Sequence, residues 1–128
     1  MKLKRVVCIP SNGPHVSDLL SKHFGHSNYF IGIEINKNHN YKTIFSLQNK
    51  GHRNCMETVT IMKERNVTDM IVDGIGRNPY LRFLNIGMKL FKGINGTVKE
   101  NIEIFSRNKL DQLINPSCGN HNSNQCNH

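Results

Sequence analysis

The sequence predicts a three-layer α/β/α sandwich, with helices on both faces of a five-stranded mixed sheet. Three observations carry this. The chain has 128 residues, enough for one domain with a real core and too short for two. An early β-rich run is followed by two more that meet across a polar turn, as in a hairpin. Beyond residue 52, strand-like and helix-like apolar patterns alternate, and right-handed crossovers then place helices on both sides of one sheet.

The elements follow in order. Residues 4–10 (KRVVCIP) read as a first strand closed by Pro10. The basic start is like that of a signal peptide, but the apolar part, residues 6–9, falls far short of the roughly 7 to 15 residues of a signal core. Nor does any run approach the roughly 20 apolar residues that cross a bilayer. A cytoplasmic protein without membrane contact is expected. Val16, Leu19, Leu20, His23 and Phe24 fall at helical spacing, with Gly25 placed to end a short helix. Residues 29–35 (YFIGIEI) and 41–47 (YKTIFSL) are strands joined by the polar turn at 36–40.

Residues 52–66 switch to a helical pattern, with Cys55, Met56, Val59 and Met62 on one face. Residues 69–72 are a short buried strand ending at Asp73-Gly74, and GIGRNP (74–79) is a glycine-rich loop leading into a helix around residues 80–85. Residues 88–91 form the last strand. Thr97 and Glu100 have the spacing of a capping box, ahead of a stripe of Val98, Ile102 and Phe105. The α/β domain thus spans residues 1–114. Residues 115–128, nearly all Asn, Ser, Cys and His, hold too little apolar area to fold alone and are expected to be a flexible tail.

Charge and cysteine usage narrow the partners. Seventeen Lys and Arg against nine Asp and Glu give a net charge of +8, which attracts anions. The cations are scattered, and no block of five like charges marks a nucleic-acid-binding tail. Four cysteines are few for a disulfide scaffold. In a reducing cytosol, cysteines near histidines bind metal or stay free.

The residues with chemistry cluster in four places. His23 precedes a Phe-Gly pair at a corner before a strand, and imidazole is a good ligand for iron or zinc. The plainer role for His23 is to sit at a helix C-terminus, where its charge suits the dipole, or to fill part of the core. His52 and Cys55, three apart at a helix start, share a face where thiols are acidified and anions favoured. Cys55 equally begins the apolar stripe. Gly76, Arg77 and Asn78 belong to a loop whose N–H groups form an anion nest, although the loop lacks the ending of a P-loop. Cys118, His121 and Cys126, with His128, are soft or borderline donors suited to zinc, iron or an iron–sulfur cluster. Their spacing is not that of a zinc finger, and a polar tail with incidental Cys and His is the plain alternative. Glu34, Glu57, Asp69 and Asp73 form no evident carboxylate site, so no enzyme is expected.

Taken together, HFGHSNYF, the Gly-His-x-x-Cys of residues 51–55, DGIGRNP, FKGINGTVKENIE and the closing CGNH occur in an order that resembles the dinitrogenase iron–molybdenum cofactor biosynthesis family. That family takes in NifX, NafY, the C-terminal domain of NifB and small stand-alone members. The resemblance implies a ribonuclease-H-like fold. It also implies non-catalytic binding or carrying of an iron–sulfur-type metallocluster or iron–molybdenum cofactor precursor, with cluster donor or acceptor proteins as partners. It makes His23 the leading contact, adds His52, Cys55 and the loop of Gly76 and Asn78, and matches Cys118 and His121 to a Cys- and His-containing tail. Two departures stand out: His26 replaces a frequent Arg, and Arg77-Asn78-Pro79-Tyr80 replaces a Gly-Pro-Asn-Ala order. Another class of function is a basic, metal-independent module for nucleic acid or an acidic protein. Nucleic acid is disfavoured, because the aromatic residues fall mostly in strands. A third reading makes the tail a structural zinc site.

Overall fold

In the computed structural model, residues 5–38, 40–49 and 55–114 are described, the side chains of residues 55 and 56 excepted. Among these residues are five strands and three helices, each expected from the sequence, while a fourth expected helix, at 16–24, is absent. The elements present are β1 (Arg5–Ser11), β2 (Tyr29–Ile35), β3 (Tyr41–Gln48), α1 (Cys55–Glu64), β4 (Asp69–Val72), α2 (Arg77–Asn85), β5 (Lys89–Lys92) and α3 (Val98–Ser106). The sheet order is β3-β2-β1-β4-β5. β1 runs antiparallel to β2, β2 antiparallel to β3, and β4 parallel to both β1 and β5.

Side-chain alternation builds two cores from one sheet, because successive strand residues point to opposite faces. On one face Val6, Cys8, Phe30, Met70, Val72 and Leu90 pack with Val59 and Met62 of α1 and Tyr80 and Phe83 of α2. On the other, Val7, Ile9, Ile31, Ile33 and Ile71 pack with Val98, Ile102 and Phe105 of α3. Helices therefore cover both faces of a five-stranded mixed sheet. In β2, Gly32 leaves room for a neighbour: a Cβ there would lie 2.2 Å from the Phe45 ring. The adjoining bulge sets Ile44 out of register, and the guanidinium of Arg65 lies 5.0 Å from the centre of the Phe45 ring.

Pro10 lies in β1, a central strand, where a missing N–H would usually break a ladder. It is tolerated because pairing of β1 with β4 covers only Val7 and Cys8. The Pro10 carbonyl instead accepts from the Ser21 N–H at 2.9 Å, which draws the following segment back over the end of the sheet.

That segment corrects one expectation. Val16, Leu19, Leu20, His23 and Phe24 do not form a helix; residues 12–18 are bends and turns. Asp18 accepts from the His15 N–H at 2.9 Å, and Ser11 Oγ donates to the Gly13 carbonyl at 2.7 Å. These side-chain bonds compete with helix formation, as is usual for Ser and Asp. Leu19 and Leu20 are extended instead, bridging Thr97 and Ser11 respectively. Leu20 is buried and Leu19 is exposed. Only Phe24–His26 makes a single 3-10 turn, so Gly25 lies inside that turn and ends no helix.

The remaining elements match expectation within a few residues. α2 starts at Arg77, earlier than the expected residue 80, and the described part of α1 starts at Cys55. The capping box at α3 is present: Thr97 Oγ1 accepts from the Glu100 N–H at 3.0 Å, and Glu100 Oε1 accepts from the Thr97 N–H at 2.8 Å. The outer edge of β5 is partly covered, since the Leu113 N–H donates to Leu90 and the Lys92 N–H to Asp111. His52, Cys118, His121 and Cys126 lie outside the described residues, as does the expected tail at 115–128.

Candidate functional site

In open α/β sheets, ligands collect beyond the carboxyl ends of the parallel strands. At that rim the structure joins two of the sequence-predicted clusters. The Phe24 N–H donates to the Gly74 carbonyl at 3.1 Å, linking the His-Phe-Gly turn to the glycine loop after β4. Phe24 is the pin. Its ring is buried, tilted against Phe30 with centroids 5.3 Å apart and edge-on to Phe83 at 5.5 Å.

His23 sits one residue before this pin in extended conformation, φ −127°, so its side chain points the opposite way and is exposed. Its backbone is firmly held. The His23 carbonyl accepts from Ser21 Oγ and from the His26 N–H, both at 3.2 Å. The His23 ring stands edge-on to that of His26, centroids 6.5 Å apart. Among the described residues no hydrogen bond engages the His23 ring. A fixed backbone with an open imidazole suits a ligand role, and a helix-terminal role is gone with the helix.

The glycine loop supplies the second wall. Gly76 caps α2 with no side-chain hydrogen bond, leaving the N–H groups of Arg77 and Asn78 at the positive end of the helix. Both side chains are exposed. Pro79, Tyr80 and Phe83 bury the inner face and fix the helix in place. Behind the loop, Lys92 Nζ donates to the Asp73 carbonyl at 2.6 Å and to its Oδ1 at 2.7 Å.

Three rim residues were not singled out by the sequence. Asn49 Nδ2 donates to the Ser27 carbonyl at 2.9 Å, and the Asn49 N–H to that of Asn28 at 2.8 Å. Its Oδ1 is buried and finds no partner among the described residues. Asn101 is fully buried; its side chain accepts from the Ile94 N–H at 2.8 Å and donates to the Ile94 and Thr97 carbonyls. That fixes the loop after β5. Lys92 is the third. Asn101 carried a weak signal, a polar residue at the edge of the apolar stripe of α3. Asn49 carried none, because its partners are backbone carbonyls far off in sequence, and the place of Lys92 in FKGINGTVKENIE did not reveal its partner Asp73.

The other candidates are less complete. Cys55 heads α1, and its side chain is not described; His52 and the tail donors lie outside the described residues. Among the described residues, no group of three His, Cys, Asp or Glu stands ready to hold a metal ion. Cys8 is no donor, because complete burial pushes its thiol well above the usual range and keeps it neutral. No helix among the described residues is long and apolar enough to cross a membrane.

Fold and rim together define a small α/β domain that presents an exposed imidazole and an uncapped helix start at the carboxyl edge of its sheet. The chain belongs to the dinitrogenase iron–molybdenum cofactor family, whose sequence model matches residues 4–108. That family is tied to biosynthesis of the iron–molybdenum cofactor. Among solved structures, a Thermotoga protein provisionally described as NifB is 27% identical with a TM-score of 0.67, over 85% of this chain and 93% of that one. A protein of Methanocaldococcus jannaschii, provisionally described as a dinitrogenase, shares the fold at 24% identity and TM-score 0.66, over 91% and 99% of the two chains. So does the apo form of the orange protein from Desulfovibrio gigas, at 12% identity and TM-score 0.71, over 91% and 99%. No curated protein matches the sequence.

Proposed function

We propose that the protein binds and carries an iron–sulfur-type metallocluster or an iron–molybdenum cofactor precursor in the cytoplasm, without catalysing a reaction on it. The observation that carries this reading is the exposed His23 ring on a backbone pinned to the Gly74 loop. Imidazole ligates iron directly. The N–H groups at Arg77 and Asn78 and the positive end of α2 favour the negative charge of such a cargo. The net charge of +8 acts in the same direction at longer range.

The donor set suits this cargo better than a lone ion. A structural zinc takes four ligands at about 2.0–2.3 Å, and the His23 and His26 rings, with centroids 6.5 Å apart, would supply at most two of them. A cluster several ångströms across is met by donors spread over a rim. His52, Cys55, Cys118, His121 and Cys126 are the donors this reading adds, the last three arriving from a tail that follows a domain ending near residue 114. Family membership and the sheet order β3-β2-β1-β4-β5 also support the ribonuclease-H-like assignment.

Anaerobic reconstitution with iron and sulfide, using untagged protein, tests the proposal. A visible chromophore is expected, with iron and sulfide both found by elemental analysis, and it should weaken in His23→Ala and in a truncation at Pro116. Equal iron content and equal absorbance in all three proteins would remove the proposed site.

A further inference from the structure

The inner face of α2 is spent on the core, but its outer face is not. Arg77, Asn78, Leu81, Arg82, Leu84 and Asn85 are all exposed, Leu81 at 41% and Leu84 at 39%. Leu81 and Leu84 are three apart and form one ridge. By helical geometry Arg77 lies on the same side one turn earlier, and Arg82 stands at the far edge of the exposed face, about 100° round from Leu81. The helix contains no acidic residue. Among the described residues neither Arg77 nor Arg82 enters an ion pair.

An ordinary solvated helix face carries cations balanced by acids at one-turn spacing. This one combines arginines without counterions and a pair of leucines. Arginine is enriched in protein interfaces and among the residues that dominate their affinity, while lysine and the acids are depleted. The face is also continuous with the rim, because α2 begins directly at Gly76.

We propose that the outer face of α2 is the docking surface for an acidic, leucine-bearing helix of a protein that delivers or receives the cargo. The leucine ridge buries apolar side chains of the partner, and Arg77 and Arg82 pair with its carboxylates. A nucleic acid would use the two arginines but leave the ridge wet. The inference rests on the carrier reading only for what is exchanged; docking itself needs no cargo.

The test uses the full chain, free of iron and isotopically labelled for NMR. It is titrated with a synthetic amphipathic helix carrying leucines on one face and glutamates on the other. Amide shifts confined to α2 and its flanks, and affinity that falls as salt rises, are expected. The double variant Leu81→Ser, Arg82→Glu should lose at least about tenfold in affinity, since charge reversal at a close interfacial pair adds repulsion to the lost contact. Both side chains are exposed, so its melting temperature and its iron loading should match the wild type. Absence of binding, shifts centred elsewhere, or unchanged affinity in the double variant would overturn the proposal. So would tighter binding at the same amides by a mixed-sequence DNA duplex or a phosphatidylserine vesicle. A wild-type chain that takes up no iron yet docks the peptide at α2 defeats the carrier reading and upholds the docking surface.

Discussion

The two ends of the sheet lean on different polar partners. At the amino end, side chains answer one another. Arg5 Nε and Nη2 donate to Asp69 at 3.2 and 3.0 Å, and Thr68 Oγ1 donates to the same carboxylate at 2.8 Å. The Arg5 guanidinium also lies over Phe105, 4.4 Å from its centre. At the carboxyl rim most of the bonds run to backbone atoms: Ser21, Asn49, Lys92 and Asn101 all grip carbonyls, and only Lys92 adds a side-chain pair, to the Asp73 carboxylate at 2.7 Å, among the described residues. His23, Arg77 and Asn78 are left exposed there. The side-chain pairs of the amino end tie strands together beside a cavity of about 480 Å³ lined by Arg5, Thr68, Asp69, Lys89 and Phe91. A backbone held by its neighbours keeps a loop in shape while freeing its side chains to bind.

The sharpest way to break this contrast is at the pin. Phe24→Ala removes a ring that is 3% exposed, and such a truncation costs about 3–5 kcal/mol. Because Phe24 also joins the two halves of the rim, urea denaturation should show that loss and iron loading should fall with it. Asp69→Ala comes next. Its carboxylate is 4% exposed and holds two partners, but Arg5 at 36% exposure can turn to water, so a loss of about 2–3 kcal/mol is expected. Iron loading per folded molecule should not change, and a fall in loading would show that the two ends are coupled. Thr97→Ala should cost about 1 kcal/mol, the usual value of an N-cap, read as a lower urea midpoint with an unchanged slope.

Much of the architecture was legible in the sequence, and the reason is periodicity. Strands with two buried faces, such as β1 and β4, show as unbroken apolar runs, and β2 was placed at its observed limits because turn residues bound it on both sides. The capping box at Thr97 and Glu100 is a local signal with a local cause. The segment at 16–24 misled because Leu19, Leu20, His23 and Phe24 mimic a helical stripe by chance, while long-range partners decide the structure: Thr97 for Leu19, Pro10 for Ser21 and Gly74 for Phe24. The candidate site was legible as residue types, since imidazole and glycine loops announce their chemistry. Its assembly was not, because a hydrogen bond between residues 24 and 74 leaves no trace in spacing.

The smallest expected effect on stability is the most telling for function. His23 is exposed, no hydrogen bond among the described residues engages its ring, and its backbone bonds survive substitution. His23→Ala should therefore shift the unfolding free energy by no more than about 0.5 kcal/mol, as at ordinary surface positions. A residue kept for the fold would show the reverse pattern, a stability loss with loading reduced only in proportion to the folded fraction. Loss of the iron chromophore at unchanged stability separates a donor from a scaffold. The contrast with Asp69→Ala then becomes quantitative, with stability lost at one end of the sheet and binding at the other. If His23→Ala instead destabilises the chain by as much as Asp69→Ala and loads iron normally, both ends are structural and the rim is not a cradle.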